Sequence, residues 1–117
     1  MEIRKNIDFL IGKILLQICF GLYQVQLNFN DGVSIEIGGE IIYKAFNKQQ
    51  YIWKYSNGRI LFPINNLIEF TINKAVFSDD KSLILEFSNG ECLTINSTGD
   101  NNESYIVKSG NDFEVIY

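Results

Sequence analysis

Histidine is missing from this 117-residue sequence altogether. Its absence removes Ser-His and Cys-His nucleophilic pairs, histidine general bases and most zinc sites. Cysteine occurs only at Cys19 and Cys92, too rarely for a disulfide framework and without the Cys-x-x-Cys spacing of a metal or redox site. Proline is confined to Pro63, so every other peptide N–H can join a sheet ladder. Long apolar runs are lacking as well. The longest candidate, "ILLQICFGLY", is interrupted by Gln17 and Gly21, whereas a membrane helix needs ~18 or more apolar residues. Arg4 and Lys5 stand near the start, but no continuous apolar run and cleavage site follow them. A cytoplasmic location without membrane attachment is the expectation.

What is present is a composition for one globular domain spanning 1–117, with 46% hydrophobic residues and a mean hydropathy near zero. A chain of this size buries roughly two-thirds of its unfolded surface, enough for a core that needs neither disulfides nor metal. The net charge of −4 is unevenly spread. Residues 1–60 carry seven bases and five acids, whereas residues 61–117 carry three bases and nine acids. The acidic half disfavours phosphate, hence nucleic acid, and suits a basic protein partner; it also serves solubility.

Period-two alternation dominates the chain. Val25, Leu27 and Phe29 alternate with Gln24, Gln26 and Asn28, and Leu83, Leu85 and Phe87 alternate with Ile84, Glu86 and Ser88. The segments "VQLNFNDGVSIEI" and "LILEFSNGECLTI" are near copies, 58 residues apart. A two-residue loop at Asn89-Gly90 would send Leu93 and Ile95 to the face opposite Leu83 and Leu85. A three-residue loop pairs Leu85 with Leu93 and Leu83 with Ile95. Because a one-residue slip turns a whole strand over, burial selects the three-residue loop. The same register pairs Leu27 with Ile35 and Val25 with Ile37, and it places Gly32 and Gly90 at positive φ, closing a type I turn. "YSNGR" has the same form around Gly58 and would set Trp53 opposite Leu61.

The repetition carries Ile14 onto Ile72, Ile18 onto Val76 and Gly32 onto Gly90, giving two copies of a three-strand meander at about 12–38 and 70–96. In the leading strands Phe20 and Phe77 fall in core phase, and Cys19 points away from it. Further strands are expected in "EIIYKAF", "YIWKYSNGRILF" and the tail, which turns at Gly110-Asn111; "PINNL" starts with Pro63 and suits one helical turn. The expected fold is an all-β antiparallel sandwich or flattened barrel of roughly ten strands, with the two copies at the centres of opposing sheets.

Few residues suggest chemistry. Asp79-Asp80 is an obvious acidic pair, but it occupies a polar reversal between strands, where aspartate serves the turn. Glu86 and Glu91 flank the second hairpin tip. "GDNNES" at 99–104 offers oxygen ligands without the alternation of a calcium loop. No phosphate loop, dinucleotide fingerprint or nucleophile elbow is present. No catalytic residue, cofactor or metal is expected, and Cys19 and Cys92 read as inert. Tyr51, Trp53 and Tyr55 share one strand face and suit either core packing or a contact surface for a ligand.

"FLIGKILLQICFGLYQVQLNFNDGVSIEI", "LILEFSNGECLTI" and "NNESYIV" together resemble a group of small bacterial all-β proteins similar to the immunity partners of polymorphic and contact-dependent growth-inhibition toxins. The marks are Gly12, the Phe-x-x-Gly tips at Phe29–Gly32 and Phe87–Gly90, and Glu103-Ser104-Tyr105. Phe70 departs from the pattern, standing where a second copy of Gly12 is expected. The resemblance implies a non-catalytic inhibitor that binds the toxin's C-terminal nuclease domain in the cytoplasm and blocks its active site. By charge and expected exposure, Asp79, Asp80, Glu86, Glu91, Asp100 and Glu103 are the candidate toxin-binding residues.

Overall fold

The computed structural model describes residues 7–54, 63–78, 81–97, 104–110 and 112–116. Tyr55, Gly58, Leu61, Asp79, Asp80, Asp100 and Glu103 lie outside the described residues. Ten strands are present: β1 (Leu15–Phe20), β2 (Val25–Phe29), β3 (Val33–Ile37), β4 (Glu40–Lys44), β5 (Gln50–Trp53), β6 (Ile72–Phe77), β7 (Leu83–Phe87), β8 (Cys92–Asn96), β9 (Tyr105–Ser109) and β10 (Asp112–Ile116). They form two five-stranded antiparallel sheets, in the orders β1-β2-β3-β9-β10 and β5-β4-β8-β7-β6. Leu27, Ile35 and Val107 of the first sheet and Ile41, Leu85 and Leu93 of the second, all fully buried, belong to one core. The fold is an all-β sandwich, as the alternation implied. Among the described residues no helix is long and apolar enough to cross a membrane.

Both duplicated hairpins adopt the three-residue register. Leu85 faces Leu93 and Leu83 faces Ile95, while Leu27 faces Ile35 and Val25 faces Ile37. Gly32 and Gly90 have φ of 75° and 88°. At the second tip the Phe87 N–H donates to the Glu91 carbonyl at 2.9 Å and Gly90 donates back to Phe87 at 2.9 Å. The first tip differs in detail, since Asp31 joins Gly32 in the left-handed region at φ 61°. Aspartate tolerates that conformation better than most residues.

The leading strands do not keep the 58-residue offset. Each contains a bulge, between Leu15 and Gln17 in β1 and between Ile72 and Lys74 in β6. Leu15 faces Phe29 and Ile72 faces Phe87, so the leading strands correspond at an offset of 57. The extra residue is absorbed in the reversal, residues 21–24 in one copy and 78–82 in the other. The bulge also breaks the period-two phase. Leu15, not Leu16, enters the core, and Leu16 is 55% exposed. Beyond the bulge Phe20 faces buried Val25 and so keeps the expected phase, but at the end of an outermost strand it is 53% exposed. Cys19 is exposed, as the alternation suggested.

With the offset corrected, the likeness reaches back to the short 3-10 turns at Asp8–Leu10 and Pro63–Leu67. Ile7 and Leu10 are buried in one copy, Ile64 and Leu67 in the other. The two leading segments also meet. Leu15 N–H donates to Phe70 O at 3.1 Å and Ile72 N–H donates to Lys13 O at 2.9 Å. Gly12 N–H donates to Ile72 O at 2.7 Å and Glu69 N–H donates to Leu15 O at 2.8 Å. Each bond is the image of its mate, so a local two-fold axis passes between Ile14 and Thr71, themselves a bridge pair. This closes one side of the sandwich. The counterpart of Gly12 is therefore Glu69, not Phe70. Gly12 has φ 89° and Glu69 has φ 81°, a left-handed position held by glycine in one copy and by glutamate in the other.

The copies stand in opposing sheets, as expected, but not at their centres, since β1 and β6 are outermost. Beyond the third strand each unit crosses over. The chain leaves β3 through Gly38-Gly39 and places β4-β5 beside β8, while β9-β10 returns to lie beside β3. The repeating unit thus has five strands, and each half lends its last hairpin to the other sheet. β5 pairs with β4, bringing Trp53 opposite Ile41.

Candidate functional site

A cleft of about 330 Å³ opens where the β4–β5 turn meets the tip of the second duplicated hairpin. Tyr43 and Tyr51 form one wall, Ala45, Phe46 and Asn47 the turn side, Pro63 and Asn66 another, and Glu91 also lines it. The turn that shapes it repeats the hairpin-tip geometry: Ala45 N–H donates to Gln49 O at 2.9 Å and Lys48 N–H to Ala45 O at 2.9 Å. Lys48, at φ 69°, takes the place that glycine holds at Gly90. Across the pair β4–β5, Tyr43 faces Tyr51, and their rings stack with centroids 5.8 Å apart.

Glu91 is only 8% exposed. Its Oε1 accepts from the Tyr43 hydroxyl at 2.6 Å and from Asn89 Nδ2 at 2.9 Å, and its Oε2 accepts from the Phe46 N–H at 3.0 Å. All three partners donate, the arrangement a carboxylate requires. Burial, reinforced by the hydrogen bond to Glu91 and partly opposed by one from Asn66, pushes the Tyr43 hydroxyl up to about 12. Tyr43 therefore remains a donor throughout the physiological range. No ion pair to Glu91 exists among the described residues.

Of the expected site residues, the two described, Glu86 and Glu91, turn to opposite faces of one hairpin. Glu86 is exposed on the outer face of β7, beside Lys74 and Cys92 of its neighbouring strands. Glu91 is inward-facing, so the exposure expected of it is corrected. The register explains this: a three-residue loop puts Glu91 opposite Phe87, on the core side. Asp79, Asp80, Asp100 and Glu103 lie outside the described residues. Of the two uses open to the aromatic stripe, Trp53 takes core packing, being 5% exposed and part of the core, so it offers no contact surface. Tyr51 is half-buried and presents part of its surface to the cleft. Cys92 is half-buried, and burial, with the nearby Glu86 charge, raises its thiol pKa.

Sequence reasoning missed the Tyr43–Glu91 pair. A signal for half of it existed, since the 58-residue offset maps Val33 onto Glu91, an aliphatic position onto an acid. Among the described residues no group of three or more Cys, Asp or Glu side chains is placed to hold a metal. The fold and the cleft together define a two-sheet β protein with a buried acid at a small aromatic-walled recess. Comparison with protein-family models, curated proteins and solved structures finds no match.

Proposed function

We propose that this is a non-catalytic binding protein that neutralises a basic protein partner, as the cytoplasmic immunity protein of a polymorphic or contact-dependent toxin. In this reading it occludes the active site of the toxin's nuclease domain. The observation that carries the reading is the placement of acid. The C-terminal half holds nine acids against three bases, and one of those acids, Glu91, lines an aromatic recess without a cation of its own among the described residues. Nuclease domains are basic around their substrate channels, so such a surface would steer association and compete with phosphate. A catalytic role has less support: Glu91 is the lone carboxylate among the residues lining the cleft, and paired acid–base work needs a second group.

The test is co-expression with the toxin encoded by the adjacent gene. Rescue of growth is expected, and cell death regardless of this protein would defeat the reading. The cleft also favours a second reading, a small-ligand-binding β module. In that case the contact surface is the Tyr43–Tyr51 recess rather than the buried Trp53 face.

A further inference from the structure

The internal duplication supplies a control for the cleft. By strand pairing, Leu93 faces Tyr43 in one sheet and Ile35 faces Val107 in the other, so Tyr43 and Val107 are counterparts. Glu91 and Val33 are counterparts by the hairpin register. Where one half has a buried tyrosine and glutamate, the other closes with two buried valines. The scaffold therefore does not require the polar pair. Burying a carboxylate in place of an aliphatic side chain is unfavourable unless hydrogen bonds offset it. The tips differ in the same sense. Gly90 lies beneath the Phe46 ring, whereas Gly32 meets only the backbone of Gly110. Phe46 is 78% exposed and borders the recess.

We propose that this recess is a receptor for an alkylammonium group, the lysine side chain of a protein partner. Half-buried Tyr51 and exposed Phe46 supply aromatic surface for a cation and its methylene stem, buried Tyr43 backs Tyr51 and holds Glu91 through its hydroxyl, and Glu91 supplies the countercharge. The choice of lysine over arginine follows from acceptor capacity. A carboxylate oxygen offers two lone pairs. On Oε1 both are taken by Tyr43 and Asn89, and on Oε2 one is taken by Phe46 N–H. A single acceptor position remains. That suits one N–H of an ammonium and cannot satisfy a two-pronged guanidinium fork. The volume of about 330 Å³ leaves room for an extended side chain, at the lower end of the range for ligand pockets.

The identity of the partner rests on the function proposed above, but the chemistry of the recess can be tested without any toxin. The isotope-labelled full chain is titrated with Nα-acetyl-lysine N-methylamide, its norleucine analogue and its arginine analogue at constant ionic strength. Amide shifts are followed by NMR. The lysine compound is expected to give saturable shifts confined to residues 43–51, 63–67 and 89–91, with half-saturation in the millimolar range. The norleucine analogue should leave them unmoved, and the arginine analogue should bind about tenfold more weakly. Glu91→Gln should abolish the response; should that variant unfold, Tyr51→Ala, which trims the half-buried wall, should weaken it several-fold. Equal shifts from lysine and norleucine analogues would overturn the proposal, as would unsaturable shifts spread over surface acids. Binding of putrescine without binding of the lysine compound would overturn the assignment to a protein side chain. Saturable lysine binding without rescue of growth would dismiss the toxin partner and keep the recess.

Discussion

Glu69→Gly should stabilise the protein. Glu69 occupies φ 81°, in the left-handed region, at the position where the other copy places Gly12 at φ 89°. A non-glycine residue there bears about 1–2 kcal/mol of strain from its Cβ. Glycine also adds freedom to the unfolded chain, which offsets roughly 0.5–1 kcal/mol of the gain. The side chain itself contributes little, because Glu69 is exposed and its carboxylate makes no hydrogen bond or ion pair among the described residues. Its backbone bond to Leu15 O at 2.8 Å is retained by glycine. The net expectation is a gain of about 0.5–1 kcal/mol, or roughly 2–6 °C in Tm for a chain of this size. Urea unfolding followed by Trp53 fluorescence would measure it. Glu69→Ala is the control: it removes the charge but keeps the Cβ, and should gain almost nothing. If Glu69→Ala stabilised as much as Glu69→Gly, charge and not backbone strain would be responsible, refuting strain at this position. The reciprocal change, Gly12→Ala, meets no atom within 4 Å, so its expected loss of about 0.5–1 kcal/mol is purely conformational.

Alkaline pH should weaken the fold through Tyr43. Its hydroxyl is raised from 10.0 to about 12, so the folded state holds the proton more tightly than the unfolded chain, and the stability present below pH 10 is lost as pH rises towards 12. The span corresponds to roughly 2–3 kcal/mol. Urea midpoints at pH 9 and 11.5 should converge with those of Tyr43→Phe at the higher pH, and an unchanged difference between the two proteins would contradict this. The two thiols should separate in alkylation: exposed Cys19 reacts readily with iodoacetamide at pH 8, while Cys92, half-buried with a raised pKa, reacts several-fold more slowly. Peptide mapping that found equal rates would refute the placement of Cys92.

Much of the fold was legible because it depends on short-range rules. The pairing of Leu83 with Ile95 and of Val25 with Ile37 follows from keeping one face apolar across a turn, and positive φ at Gly32 and Gly90 follows from the turn that this pairing demands. The leading strands misled for an equally physical reason. A bulge uses one residue without advancing the ladder, so Leu16 looks core-facing by alternation and is exposed in fact, while Phe20 keeps the inward phase but ends an outermost strand with nothing to cover it fully. The same slip hid Glu69 as the mate of Gly12. The candidate site was less legible. Charge alone marks Glu91 as a surface acid, although the hairpin register turns it inward. Tyr43 reaches it through a contact 48 residues distant in sequence.

The amino-acid sequence by itself determined the strand faces, the two duplicated hairpins and their tips, since alternation and turn sterics act over a few residues. Tertiary structure alone decided the rest. Bulges chose which leading-strand residues are buried, and a crossover beyond the third strand of each copy exchanged the terminal hairpins between sheets. That exchange brings Tyr43 of β4 against Glu91 beside β8, while Val107 and Val33 close the matching place in the other half. Such pairings depend on long-range docking of strands, and no local pattern encodes their partners.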